Sequence, residues 1–322
     1  LTQMASISVV IFGVYKISEG ELTTGGLIAC TILTGRALAP ISQIASLLTR
    51  YHQARTSLDT LTHMMSLPVE REPGKKYVHR PSFKGDIEFK NISFSYPEQP
   101  IKALDNVSFK IKSGERVAFI GRIGSGKSTI EKLMLGLYAP QEGSILIDGT
   151  DIRQIDPSDL RRQIGYVPQD ISLMFGSIKD NITMGSRYAD DASILHAAEI
   201  AGVTQFVNRH PEGFDMPVGE RGASLSGGQR QSVAVARSML LSPPIYIMDE
   251  PSNSMDNSTE ARFKEKLSEQ LAHQTLILVT HRASLLTLVD RLIVMDGAKI
   301  VADGPKENVL EALKKGQIKV SN

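Results

Sequence analysis

The chain has 322 residues, enough for one large domain or two medium ones, and balances Lys+Arg 36 against Asp+Glu 35. That balance advertises no acidic polymer as a partner, and the basic stripe of a nucleic-acid binder is missing, so no nucleic-acid partner is expected. Cys30 is the single cysteine, which excludes an intrachain disulfide framework and suits a reducing compartment for the soluble part.

Met4 to Tyr15 (MASISVVIFGVY) is nearly uncharged. A dozen residues at about 1.5 Å each fall short of a bilayer core, so the run is expected to be the tail of one membrane helix. A signal-peptide core is disfavoured, because no basic residue precedes it and no small-residue cleavage site follows. The acidic, glycine-rich SEGELTTGG suits a short turn, and Gly25 to Leu48 is long enough to span, roughly 36 Å as a helix. Arg50, His52 and Arg55 follow, so by the positive-inside tendency the turn faces out and the remainder faces the cytoplasm. A buried soluble hairpin is the alternative, and Arg36 and Pro40 inside the second run weigh towards it. In lipid, Arg36 would have to face a helix bundle or a wet cavity.

The helical pattern continues as a polar stretch to near Pro68, which makes 1–66 a partial transmembrane domain. Residues 67–83, rich in Pro, Gly and charge, are expected to form a linker. From residue 84 the texture changes. DIEFKNISFSY alternates like a half-buried strand, VSFKIKSGERVAFIG suggests two strands around a Ser-Gly turn, and strand and helix patterns then alternate to the end. An α/β domain over 84–322 is expected.

Gly121-Arg122-Ile123-Gly124-Ser125-Gly126-Lys127-Ser128 fits G-x-x-x-x-G-K-[ST], with a strand pattern (Val117 to Ile120) leading in and a helical stretch (Ser128 to Leu137) leading out. The glycines let successive N–H groups point at phosphate oxygens, and the helix N-terminus adds partial positive charge. Lys127 should reach the β- and γ-phosphates, and the Ser128 hydroxyl should ligate Mg²⁺. Ile245 to Glu250 reads as a buried parallel strand that delivers two carboxylates at its end. Asp249 lies on the Mg²⁺ side, and Glu250 is placed to polarise an attacking water. Gln169 could ligate Mg²⁺ or orient water, His281 could contact the γ-phosphate, and Tyr96 could stack on adenine. Each of these three is unremarkable when taken alone. A second glycine-bearing helix head, LSGGQ at Leu225 to Gln229, stands between the halves of the site.

In this order the motifs resemble the nucleotide-binding domain of ATP-binding cassette (ABC) transporters, over essentially all of 84–322. The resemblance implies a RecA-like P-loop core, an antiparallel β subdomain and an α-helical signature subdomain, preceded here by a partial all-α transmembrane domain. It implies ATP and Mg²⁺, with Thr129 joining the phosphate loop. It also implies that Ser226, Gly227, Gly228 and Gln229 meet the ATP held by a partner's Lys127 in a homodimer. VGERG (Val218 to Gly222) resembles the loop that couples exporter ATPases to membrane helices, and Ser254-Met255-Asp256 stands where many members have Ala-Leu-Asp. With Asp256 retained, the inter-subunit contact there is expected to survive.

FKNISFSYP, DIRQIDPSDLRRQIGYVPQD and DEPSNSMDNSTE are similar to bacterial type I secretion ATPases. That likeness implies an inner-membrane exporter of RTX-class toxins or adhesins, working with a membrane-fusion protein and an outer-membrane channel. With about one and a half helices before the domain, and Leu1 rather than methionine first, the chain looks like the C-terminal half of such a protein. An exporter of lipids or small molecules, or an ATPase without transport, shares the same motifs. ABC ATPases of DNA repair interrupt their halves with long coiled coils, and residues 129–244 contain none.

Overall fold

The computed structural model describes residues 2–186 and 188–318. They form two compact units that part between Glu72 and Pro73. In the first, helices α1 (Thr2–Ser18) and α2 (Thr24–Ser66) flank a short turn. Thr23 caps α2 by accepting the Gly26 N–H at 3.1 Å. α2 continues through Pro40 as one helix of 43 residues and is long and apolar enough to cross a membrane. Ile28, Ile32 and Leu33 on it are exposed, whereas charge collects at the turn, where Lys16 pairs with Glu19 and Glu21 at 2.7 and 2.9 Å.

The second unit contains two sheets. Strands β1 (Ile87–Ser95), β2 (Lys102–Ile111), β4 (Glu142–Ile147) and β5 (Thr150–Asp151) form an antiparallel sheet in the order β2-β1-β4-β5. The other strands are β3 (Arg116–Gly121), β6 (Ile164–Val167), β7 (Ile245–Asp249), β8 (Thr275–Val279), β9 (Arg291–Asp296) and β10 (Lys299–Pro305). They run β10-β9-β3-β8-β7-β6, parallel throughout except for β10 at the edge.

Side-chain alternation divides the interior into two cores. Val117, Phe119, Ile245, Ile247, Ile277, Val279 and Ile293 face the antiparallel sheet, where Phe89 and Phe109 stack with centroids 4.4 Å apart. Ala118, Tyr246, Met248, Leu276, Leu278, Leu292 and Val294 face the helical side. Burial on both faces explains why these strands are continuous apolar runs, each large side chain contributing about 1.5–3 kcal/mol. Helices α5 (Ile178–Ile182), α6 (Asp191–Ile200) and α8 (Gly227–Met239) pack together on that side, and α8 buries Val233, Val235, Ala236 and Met239. The short α4 (Pro157–Arg162) precedes β6, and α7 (Thr204–Val207) follows α6. These parts match the expected core, β subdomain and signature subdomain.

Within residues 67–83, the second half is bound to the α/β unit. The Val78 N–H donates to Gln154 O at 2.7 Å, Gln163 Nε2 donates to Pro81 O at 2.8 Å, and Phe83 is buried. The two strands expected either side of Ser113-Gly114 are β2 and β3, and they enter different sheets.

Candidate nucleotide site

β3 ends at Gly121 and the chain turns through residues 122–126 into α3 (Lys127–Met134). Gly126 begins that helix at φ 103°, and a Cβ there would lie 2.6 Å from Ala103 O, so only glycine fits. No side chain caps α3, which leaves its first N–H groups facing the loop. Lys127 curls back over the loop, donating to Gly121 O at 2.7 Å and Arg122 O at 2.8 Å. Burial lowers its pKa, against the opposing pull of Asp249, Glu250 and Glu131.

β7 brings Asp249 beside this loop, where Ser128 Oγ donates to Asp249 Oδ2 at 3.4 Å. Asp249 is 4% exposed, and its pKa is raised by burial and then by the charge of Glu250, so the pocket disfavours its ionisation without a cation. A hydroxyl and a carboxylate side by side are hard oxygen donors that fit Mg²⁺. Glu250 is 8% exposed and adopts φ 47°, a left-handed conformation that costs a non-glycine residue on the order of 1–2 kcal/mol. Its carboxylate is aimed by the two residues that follow β8, accepting the His281 N–H at 2.7 Å and the Thr280 hydroxyl at 3.0 Å.

Tyr96 follows β1, with its ring edge-on to Tyr138 at 5.2 Å and Lys132 Nζ 5.3 Å from its centroid. Its hydroxyl bonds Thr129 Oγ1 at 3.1 Å. The ring therefore packs against the core and borders the site at once. Tyr96, Ile123, Gly124, Gly126, Lys127, Ser128, Thr129, Gln169, Asp249, Glu250 and His281 all line one cavity of about 480 Å³.

Ser226, Gly227, Gly228 and Gln229 line a different cavity of about 570 Å³, together with Arg209, Ser254, Asp256 and Arg262. Among the described residues none lines both cavities. Ser226 caps α8 in a reciprocal box. Its Oγ accepts the Gln229 N–H at 3.2 Å, and the Ser226 N–H donates to Gln229 Oε1 at 2.8 Å. The serine keeps its hydroxyl proton for a further bond, whereas the Gln229 carbonyl oxygen is engaged locally. Asp256 is similarly engaged, capping α9 (Asn257–Gln270) by accepting the Ser258 and Thr259 N–H groups at 2.9 and 3.0 Å. In the VGERG loop Arg221 sits at φ 51°, and Arg230 of α8 holds the loop through Gly222 O at 3.3 Å and Leu225 O at 3.0 Å.

Three participants escaped the sequence reading. Glu131 on α3 is 1% exposed, receives the Tyr166 hydroxyl at 3.4 Å, and leaves Oε1 without a partner among the described residues. Its signal was a glutamate on the buried face of the helix that follows the phosphate loop. Glu260 on α9 gathers Ser252, Ser284 and Arg282, tying the segment after Glu250 to the segment after His281. Burial opposes its ionisation, but those three partners prevail and hold its pKa low. Gln231 joins α8 to the backbone at Glu250 and Ser254.

The model of the ABC transporter family matches residues 104–253. Among curated proteins, the leukotoxin translocation ATP-binding proteins LktB of Mannheimia haemolytica and Bibersteinia trehalosi are each 38% identical over 299 residues. The match covers 93% of this chain and 42% of each relative, so the chain spans less than half the length of those proteins. Among solved structures, a bacterial Atm1-family ABC exporter with ATP bound superposes with a TM-score of 0.77 at 31% identity, over 96% of this chain and 55% of that one.

Proposed function

We propose that this chain, whose residues 104–253 match the model of the ABC transporter family, is a member of that family that binds and hydrolyses ATP as half of a homodimeric exporter in a bacterial inner membrane. The observation that carries the reading is the division of phosphate-binding features between two separate cavities of one chain. One cavity has the loop, the lysine and the paired acids; the other has a serine-capped helix and neither acid. Two copies related by a twofold axis would join unlike halves twice, giving two complete sites.

Within each site Lys127 would exchange its bonds to Gly121 O and Arg122 O for phosphate oxygens. Ser128 and Asp249 would hold Mg²⁺, with Gln169 at the same cavity wall. The metal, when bound, neutralises charge on the phosphate tail. Glu250, aimed by Thr280 and His281, would accept the proton of the attacking water. Tyr96 offers its ring to adenine, His281 lies within the same cavity, and the partner's Ser226 would donate to the terminal phosphate. Because ATP would favour the closed dimer, its hydrolysis would reopen the pair and drive the membrane helices.

The similarity to leukotoxin translocation proteins supports a polypeptide cargo of the RTX class, with a membrane-fusion protein and an outer-membrane channel as partners. Glu250→Gln in the whole chain should keep ATP affinity while turnover falls on the order of 10²–10³-fold. Near-native hydrolysis by that variant would remove Glu250 from the role assigned to it.

A further inference from the structure

Gln231 lies one turn into α8 and is 2% exposed, an unusual place for an amide among the apolar side chains of that helix. Both ends of the amide are engaged by the segment that follows β7. Nε2 donates to Glu250 O at 2.6 Å, and Oε1 accepts the Ser254 N–H at 2.8 Å. Glu250 is the residue whose backbone stands at φ 47°, a conformation that persists only where its surroundings enforce it. The Asn253 N–H also donates to Glu250 O at 3.1 Å, so residues 250–254 close into a turn with Gln231 as its outer clasp. The fit is tight at the helix head as well, where a Cβ on Gly228 would lie 2.9 Å from Ser254 O.

We infer that Gln231 is a positioning residue for its own chain's Glu250, so that the signature helix serves two active sites. Ser226 at its head faces the partner's nucleotide, while Gln231 one turn later holds the base of its own. The inference rests on the two-chain ATPase reading above. It assigns the glutamine a role confined to the chain in which hydrolysis occurs, whereas a residue that merely stabilised α8 would act through the presented signature too.

The test uses mixed dimers of the whole chain, co-expressed with two different tags and purified on both. One member carries Lys127→Ala, so that only its partner's phosphate loop works. Gln231→Met in the working chain should lower turnover at saturating ATP by about 10-fold or more, with KM changed less than about twofold. The same substitution in the Lys127→Ala chain should leave turnover within about twofold of the unsubstituted mixed dimer. Gln231→Glu, which keeps an acceptor towards Ser254 and loses the donor towards Glu250, should repeat that cis-only loss if the methionine variant does not fold. Equal losses in the two placements, or none in the working chain, would overturn the inference. Inactivity of the Lys127→Ala/Ser226→Arg mixed dimer, with both Gln231 residues intact, would instead remove the two-chain reading itself.

Discussion

Glu131 carries the most isolated carboxyl of the site, and its chemistry follows from where α3 puts it. Burial, and then the charge of Asp249, push its pKa up to about 8, and the Tyr166 hydroxyl only partly offsets them. The folded chain therefore holds a proton there that the unfolded chain releases in the ordinary carboxylate range. Such a raised acid costs nothing below the unfolded pKa. Stability is lost progressively as pH rises from that value to the folded one. Between pH 7 and pH 9 the loss should be about 1 kcal/mol, because roughly one further unit of the shift is traversed. In nucleotide-free, metal-free protein, Glu131→Gln should remove this slope. The variant should lose less of its melting temperature than the native chain over the same interval, and identical pH profiles would show that the carboxyl is already ionised. Lys127, Asp249 and Glu250 were legible because their spacing is a motif; Glu131 was not, since burial of one helix face against Tyr166 and Asp249 is a tertiary fact.

At the scale of elements, α8 illustrates what patterns along the chain convey and where they stop. Its cap, Ser226 with Gln229 three residues on, announces a helix start, and the apolar spacing after it announces a buried face. The reason for two glycines is different from a need to expose N–H groups alone. The helix head lies against Ser254, and a methyl group on Gly228 would press on a backbone oxygen that cannot turn aside. Two effects oppose each other in Gly228→Ala: better helix propensity, worth up to about 1 kcal/mol, and overpacking against backbone, costing about 1–3 kcal/mol. Overpacking should win, so that thermal denaturation shows a net loss of about 1 kcal/mol and turnover falls by about tenfold or more. A stabilised, fully active alanine variant would mean that the turn at 250–254 yields easily. The parallel strands were equally plain, since continuous apolar runs such as Ile245–Met248 satisfy a sheet covered on both faces. The divergence of β2 and β3 into separate sheets was hidden, because pairing with β1 or with β8 and β9 is decided by residues far away in sequence.

For the whole molecule, the separation of the two cavities is the fact that matters most, and sequence order could suggest it only through resemblance. Motifs along a chain do not say whether Leu225–Gln229 folds over its own phosphate loop or away from it. The structure answers that the signature lines its own cavity, with Ser254 and Asp256 rather than Lys127 and Asp249. Completion by a second copy then becomes a claim that can be counted. Lys127→Ala breaks one half of every site in a homodimer, and Ser226→Arg breaks the other half, so each variant alone should be nearly inactive. A mixed dimer of the two would pair the sound phosphate loop of one chain with the sound signature of the other at one of its two sites. The most direct measurement is ATP turnover by that mixed dimer, purified through two tags. A site shared by two chains gives about half the native rate per dimer, from one intact site of two. If the mixed dimer stays as inactive as its parents, the signature works within its own chain and the two-chain site is contradicted.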